Sequence, residues 1–280
     1  MRKMVISFSV VRELMKRFDE DEVFDLSAEL AYFFLLSLFP FLLFLLTFLS
    51  YLPIPHEDVI SFLSQYAPSE TAHLIETNVK QLMESQSGKW LSFSVLATVW
   101  AASNGMSAII RALNRAYDVK ETRSFFVSRG VSILLTFAMI FVIIVALVFP
   151  VFGKMIGTFL FSSFGLSDVF LHVWETLRWF VSFVILFFVF SVLYVFAPSK
   201  YVRFRDVWSG SLFATVGWMI VSLAFSYYVN QFGNYSAMYG SLGGIIALMV
   251  WFYLSGMMIV LGGELNAIFC CKREGKMRIR

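Results

Sequence analysis

VWSGSLFATVGWMIVSLAFSYYVNQFGNYSAMYGSLGGIIALMVWFYLSGMMIVLGG, residues 207–263, is a run of 57 positions without Asp, Glu, Lys or Arg. Asp206 and Glu264 bound it. One membrane crossing takes about 20 apolar residues, so the run is too long for one helix and long enough for two. Its middle, Gly233-Asn234-Tyr235-Ser236-Ala237-Met238-Tyr239-Gly240-Ser241, is small and polar. The run therefore reads as two transmembrane helices joined by a tight, uncharged turn.

Working outward, other uncharged apolar stretches recur. They cover Leu30 to Pro55, Trp90 to Ile110, Gly130 to Gly153 and Trp179 to Ser199. Six spans result, near 31–51, 90–110, 130–152, 179–198, 207–232 and 240–263. The chain is 59% hydrophobic and 15% charged, against about 25% charge in a soluble domain. The expectation is an all-α integral membrane protein, one membrane domain over residues 1–280. Residues 1–27 read as a cytoplasmic amphipathic segment and 264–280 as a basic cytoplasmic tail. Residues 1–27 also carry six carboxylates and lack an uninterrupted apolar core, so no cleavable signal peptide is expected. Met155 to Ser167 is uncharged but too short to cross, and reads as an extension of span 3, an interfacial segment or a re-entrant dip.

Lys and Arg set the orientation. The N-terminal segment, the span 2–3 and span 4–5 connections and the tail hold 18 of them; the alternate connections hold 4. That split obeys the positive-inside rule with both termini cytoplasmic, and adding or removing one span breaks it. The basic loops thereby find an explanation in topology, and no nucleic-acid partner is expected. Met4, Phe8, Val11, Met15 and Phe18 form a helical apolar stripe among Arg2, Lys3, Arg12, Lys16 and Arg17. It reads either as a helix on the cytoplasmic leaflet or as one packed against the cytoplasmic loops. In the outer connection, Val59, Phe62, Leu63 and Tyr66, then Ile75, Val79, Leu82 and Met83, predict two short amphipathic helices that cap the outer mouth or act as a lid.

Polar groups inside a membrane carry a cost and call for a reason. In span 2, Ser103, Asn104 and Ser107 lead to Arg111 and Arg115. Ser103, Ser107, Arg111 and Arg115 recur every four residues, on one slowly drifting face. This face lines a polar path, or its hydroxyls and amide act as interhelical glue worth ~1 kcal/mol each. Pro40 removes a backbone hydrogen bond within span 1 and predicts a kink. Small residues at Gly210, Gly217, Gly240 and Gly244 predict close packing of spans 5 and 6, or a face for a sister subunit. Glu264 falls at the predicted end of span 6, where the helix dipole disfavours a carboxylate. Arg111 or Arg115 is its expected partner, with Asn266 beside it. His56, His73 and His172 all fall in outer connections, and no Cys/His or carboxylate set has metal-ligand spacing. No metal, cofactor or catalytic group is expected.

At these residues the chain resembles a known family. Leu30-Ala31-Tyr32-Phe33-Phe34-Leu35-Leu36-Ser37-Leu38-Phe39-Pro40 is similar to the first-helix signature of the YihY/BrkB membrane proteins. Ala112-Leu113-Asn114-Arg115-Ala116-Tyr117-Asp118, continued by Arg123 and Arg129, resembles the motif that follows their second helix. Tyr239-Gly240-Ser241-Leu242-Gly243-Gly244 and Gly262-Gly263-Glu264-Leu265-Asn266 resemble the C-terminal signature. The resemblance implies a polytopic protein of the bacterial cytoplasmic membrane, with roles in moving lipids or other envelope components. It carries an old ribonuclease label, which the outward histidines contradict. Three functions are weighed: a transporter of a lipid or other amphiphile, a non-transporting scaffold for envelope assembly, and, least supported, an intramembrane enzyme.

Overall fold

Residues 8–49, 88–140, 168–231 and 241–274 are described in the computed structural model. They form α1 (Phe8–Glu20), α2 (Val23–Leu49), α3 (Gly88–Ala116), α4 (Phe125–Ile140), α5 (Asp168–Phe196), α6 (Phe204–Gln231) and α7 (Ser241–Glu274). There is no strand among the described residues. Five of these helices hold a segment long and apolar enough to cross a bilayer: Val23–Phe44, Leu91–Ala116, Trp179–Phe196, Phe204–Tyr228 and Gly243–Arg273. The expected third span begins within α4 and runs on past Ile140, outside the described residues. The outer-loop helices predicted between Leu52 and Lys89, the Met155–Ser167 segment and the turn with Gly240 also lie outside them, save Gly88 and Lys89, which open α3.

α7 is the central helix, packed on α6, α2, α3 and α1. α2 packs on α3, and α5 on α6. Leu30, Leu113, Leu193, Tyr194, Val207 and Val260 are all buried to within 1%. Leu30 lies near the start of α2, Leu113 and Tyr194 near the ends of α3 and α5, and Val207 near the start of α6, so the tight core sits at the end of the bundle that also carries Arg115, Arg205 and Lys272. Toward the other end α6 turns Val216, Ile220, Leu223 and Tyr227 outward, as a lipid-facing stripe should.

Two helix ends are made by non-glycine residues in the left-handed conformation. Asp118 (φ 53°) ends α3: its N–H donates to the Arg115 carbonyl (3.0 Å) and the Val119 N–H to the Asn114 carbonyl (2.9 Å), a Schellman turn. Glu22 (φ 53°) ends α1 and starts α2 at once. Within the segment 1–27, the described residues 8–27 form α1, a turn at Asp21-Glu22 and the start of α2. α2 continues unbroken through Pro40.

α7 also departs from expectation. It runs ten residues past Glu264 to Glu274, so Glu264 is inside the helix and the dipole argument does not apply to it. The helix persists because Leu265 and Ile268 extend its apolar face, packing with Val10 and Leu14 of α1 and Phe213 of α6. Lys272 and Arg273 occupy its last turn, where cations suit the dipole.

The close approach of α6 and α7 is at their basic ends. A Cβ on Gly210 would overlap the Gly262 carbonyl and the Asn266 side chain. A Cβ on Gly262 would overlap the Tyr194 hydroxyl, which donates to the Ile259 carbonyl at 2.8 Å. Gly217 faces the Met258 sulfur, which would lie 2.6 Å from an added Cβ, a flexible neighbour able to yield. A Cβ at Gly244 would meet nothing within 4 Å. The small-residue packing thus centres on Gly210 and Gly262. Gly210→Ala should lower stability by about 1–3 kcal/mol through overpacking, and Gly244→Ala should change it by less than about 0.5 kcal/mol. Chemical denaturation in detergent, followed by tryptophan fluorescence, measures both; equal effects would contradict the assignment.

Candidate functional site

The basic end holds two arrangements: a closed junction around Glu264 and an open cleft around Arg129. The junction begins with a fully buried carboxylate on α7. Such a charge has to be paired. The partner is Arg17, whose Nη1 lies 3.5 Å from Glu264 Oε2. This corrects the expected pairing with Arg111 or Arg115. Arg17 is itself buried, and Nη1 also donates to the carbonyl of Ala116, the last residue of α3, at 3.3 Å. Its Nε donates to Glu13 at 3.1 Å. One guanidinium thus ties α1, α3 and α7 together.

Arg111 and Arg115 are committed elsewhere. Arg111 forms a close ion pair with Glu29 of α2. Arg115 grips the α1–α2 corner: Nη1 donates to Glu22 Oε2 at 2.7 Å, Nη2 to the Glu20 carbonyl at 3.2 Å, and Nε lies 3.5 Å from Asp21 Oδ1. The hydrogen bond from Arg115, then its charge, holds the Glu22 carboxyl below the usual carboxylate range. α1 packs on α7 and α2. Val10 and Arg17 are buried against the bundle, while Val11 and Met15 face outward. Of the predicted apolar stripe, Val11 and Met15 are exposed and Phe18 packs against the core; Met4 lies outside the described residues.

The same end is stitched by neutral contacts. Asn266 Oδ1 accepts from the Gly210 N–H at 2.7 Å. Asn114 donates to Glu121 and to the Ser199 hydroxyl, both at 3.1 Å, and accepts from the Ser199 N–H at 2.7 Å. Arg123 donates to the Ala197 and Pro198 carbonyls (3.3 and 2.8 Å), closing the end of α5. Partial burial acts to raise the Glu121 carboxyl, but hydrogen bonds from Ser199, the Arg123 N–H and Asn114, with the Arg123 charge, outweigh it and hold the pKa below the usual range.

The cleft opens between α2, α3 and α4 and has a volume of about 370 Å³. Asn104, Ser107, Arg111, Glu121, Ser128 and Arg129 supply its polar wall, Phe33, Ile110 and Phe125 its apolar one. Arg129 Nη1 donates to Asn104 Oδ1 at 2.7 Å, and Nη2 lies 3.5 Å from the Trp100 carbonyl. Its guanidinium carbon sits 4.0 Å from the centroid of the Trp100 ring, a cation–π contact. Trp100 therefore faces outward with Arg129 over it, while Trp251, also predicted mid-span, turns its N–H to the Ser222 hydroxyl at 3.3 Å.

The face predicted on span 2 divides between the two arrangements. Asn104, Ser107 and Arg111 line the cleft. Ser103 is buried and donates to the Trp100 carbonyl of its own helix at 2.9 Å. Ser107 donates to Ser132 of α4 at 2.9 Å, so it is interhelical glue as well as lining. Arg115, Glu264 and Asn266 belong to the junction. Sequence reasoning missed Arg17, Asp21 and Ser132 as site residues. A signal for Arg17 existed: Val10, Leu14, Arg17 and Asp21 share a helix face beside the apolar stripe chosen.

A family model described as Virulence factor BrkB matches residues 14–278. The chain is 54% identical over 260 residues to YfkH of Bacillus subtilis (strain 168), named as ribonuclease-like, covering 93% of this chain and 94% of that protein. It is 27% identical over 267 residues to a UPF0761 membrane protein of Aliivibrio salmonicida (strain LFI1238), covering 94% and 83%. It is 28% identical over 206 residues to a UPF0761 membrane protein of Glaesserella parasuis serovar 5 (strain SH0165), covering 72% and 69%. No solved structure matches the chain.

Removing one member of a buried ion pair costs about 3–5 kcal/mol, because the other charge stays behind. Arg17→Gln and Glu264→Gln should each lose stability on this scale, and the double variant should lose clearly less than their sum. Arg111→Gln combined with Glu264→Gln should instead be additive to within about 0.5 kcal/mol. The two double-mutant cycles, measured by denaturation in detergent, check the pairing; coupling in the second and none in the first would reverse it.

Proposed function

The chain belongs to the BrkB family of multi-pass membrane proteins, and we propose that it is a transporter that moves a lipid or other amphiphile across or between leaflets. The observation that carries this reading is the cleft between α2, α3 and α4. It is of amphiphile character, with Arg111, Arg129, Asn104 and Ser107 set against Phe33, Ile110 and Phe125. Pockets that hold an amphiphile pair a large apolar wall with a few placed polar groups. Intramembrane charges mark substrate pathways.

The basic end faces the cytoplasm of a bacterial inner membrane in this reading, with both termini there and six spans in all. That orientation follows the positive-inside excess on the connections around α3, α5 and α7. The chemistry is movement rather than bond breaking, with no nucleic-acid substrate. Purified protein in lipid vesicles should accelerate transfer of a labelled amphiphile several-fold over empty vesicles. Arg111→Gln should reduce that rate without unfolding the protein, because Arg111 lines the cleft and its ion pair with Glu29 is exposed. No acceleration across a panel of anionic, zwitterionic and neutral amphiphiles, with folding confirmed, would overturn the transporter reading and leave a scaffold for envelope assembly.

A further inference from the structure

Arg129 is an uncommon cation. It projects from the second turn of α4 onto Trp100 and Asn104 of α3. Those residues lie roughly 10–16 Å along α3 from Arg111, at 1.5 Å per residue. α3 is apolar enough to cross a membrane through this stretch, so the guanidinium reaches toward the hydrocarbon. Nevertheless no carboxylate among the described residues lies within ion-pair distance of it. Its two terminal nitrogens meet neutral acceptors, the Asn104 amide oxygen and the Trp100 carbonyl. Its Nε is buried with no hydrogen-bond partner among the described residues.

The neighbouring charges are accounted for. Arg111 at the mouth pairs with Glu29. Glu121, which also lines the cleft, accepts from Asn114 and from the Arg123 N–H and forms no ion pair with Arg129. A guanidinium fixed in plane by an indole, with one further N–H on each terminal nitrogen and no carboxylate within ion-pair distance, has the donors that receive an oxyanion. The hydroxyl of Ser107 and the charge of Arg111 border the same space. Phe33, Ile110 and Phe125 offer the apolar wall along which an acyl chain would lie.

We propose that Arg129 is the anion-recognition residue of the cleft, and that its ligand is an amphiphile whose phosphate headgroup carries a net negative charge. This rests on the transporter reading only for the ligand's later movement; the binding site stands on the geometry of Arg129. Inorganic phosphate shares the headgroup chemistry, so the test separates the two sources.

The full chain, purified in detergent, is presented with equal phosphatidylglycerol and phosphatidylcholine and examined by native mass spectrometry. The wild type should retain phosphatidylglycerol about tenfold over phosphatidylcholine. Arg129→Gln should abolish the preference, and Arg129→Lys should retain part of it as a charge without the fork. Thermal midpoints of all three confirm folding. Equal retention of both lipids, or an unchanged preference in Arg129→Gln, overturns the proposal. Stabilisation by millimolar inorganic phosphate, lost in Arg129→Gln, assigns the site to free phosphate; stabilisation by phosphatidylglycerol alone assigns it to lipid. Vesicle transfer of labelled phosphatidylglycerol is run beside this. Adduct without transfer retires the transporter reading and keeps the site. Transfer that is unimpaired in Arg129→Gln retires the site and keeps the transporter.

Discussion

The carboxylate of Glu264 is the constraint around which the basic end is built. It sits inside α7, fully buried, and an uncompensated charge there would cost several kcal/mol. Its partner comes from outside the membrane-spanning helices, on α1. Bringing Arg17 to Glu264 forces α1 back over the bundle and so requires the corner at Asp21-Glu22. That corner needs a residue in the left-handed conformation, and Arg115 of α3 supplies three contacts to hold it. The same Arg17 closes the last carbonyl of α3. One buried charge therefore fixes how three helices meet.

Close backbone packing completes the junction. Gly210 and Gly262 let α6 and α7 approach until the Gly210 N–H reaches the Asn266 side chain. Tyr194 of α5 fills the remaining space and bonds to the Ile259 carbonyl. The resemblance motifs acquire physical reasons here. In Asn114-Arg115-Ala116-Tyr117-Asp118, Asn114 ties the α5–α6 loop, Arg115 clips the corner, Tyr117 packs into the core and Asp118 turns the chain. In Gly262-Gly263-Glu264-Leu265-Asn266, both glycines admit neighbours, Leu113 over Gly263 included.

Much of this was legible in the sequence. Long uncharged runs mark spans because charge is costly in hydrocarbon, and α2, α3, α5, α6 and α7 fall where the runs do. The polar face of span 2 includes Asn104, Ser107 and Arg111, which line the cleft. Pairing was not legible, because nothing in a one-dimensional pattern ranks Arg17 above Arg111 for Glu264. Both lie near the same end; only the fold shows that Arg111 is turned to Glu29. α7 was cut short at Glu264 because a charge after an apolar run looks like a boundary. Its continuation depends on Leu265 and Ile268 meeting α1, a tertiary contact. Arg129 was noted as part of a motif, but its isolation from carboxylates is a property of space alone.

The junction and the cleft share α3, one face of it locked by Arg17 and Arg115 and another open toward α4. The proposed anion site lies beside that support, where Arg129 borders the apolar wall of Phe33, Ile110 and Phe125. Electron cryo-microscopy of the full chain in nanodiscs containing phosphatidylglycerol tests it most directly. The expected result is headgroup density within hydrogen-bond distance of the Arg129 guanidinium, an acyl chain along Phe33 and Phe125, and Arg17 still paired with Glu264. A cleft filled by protein, with a carboxylate of the chain neutralising Arg129, would contradict it.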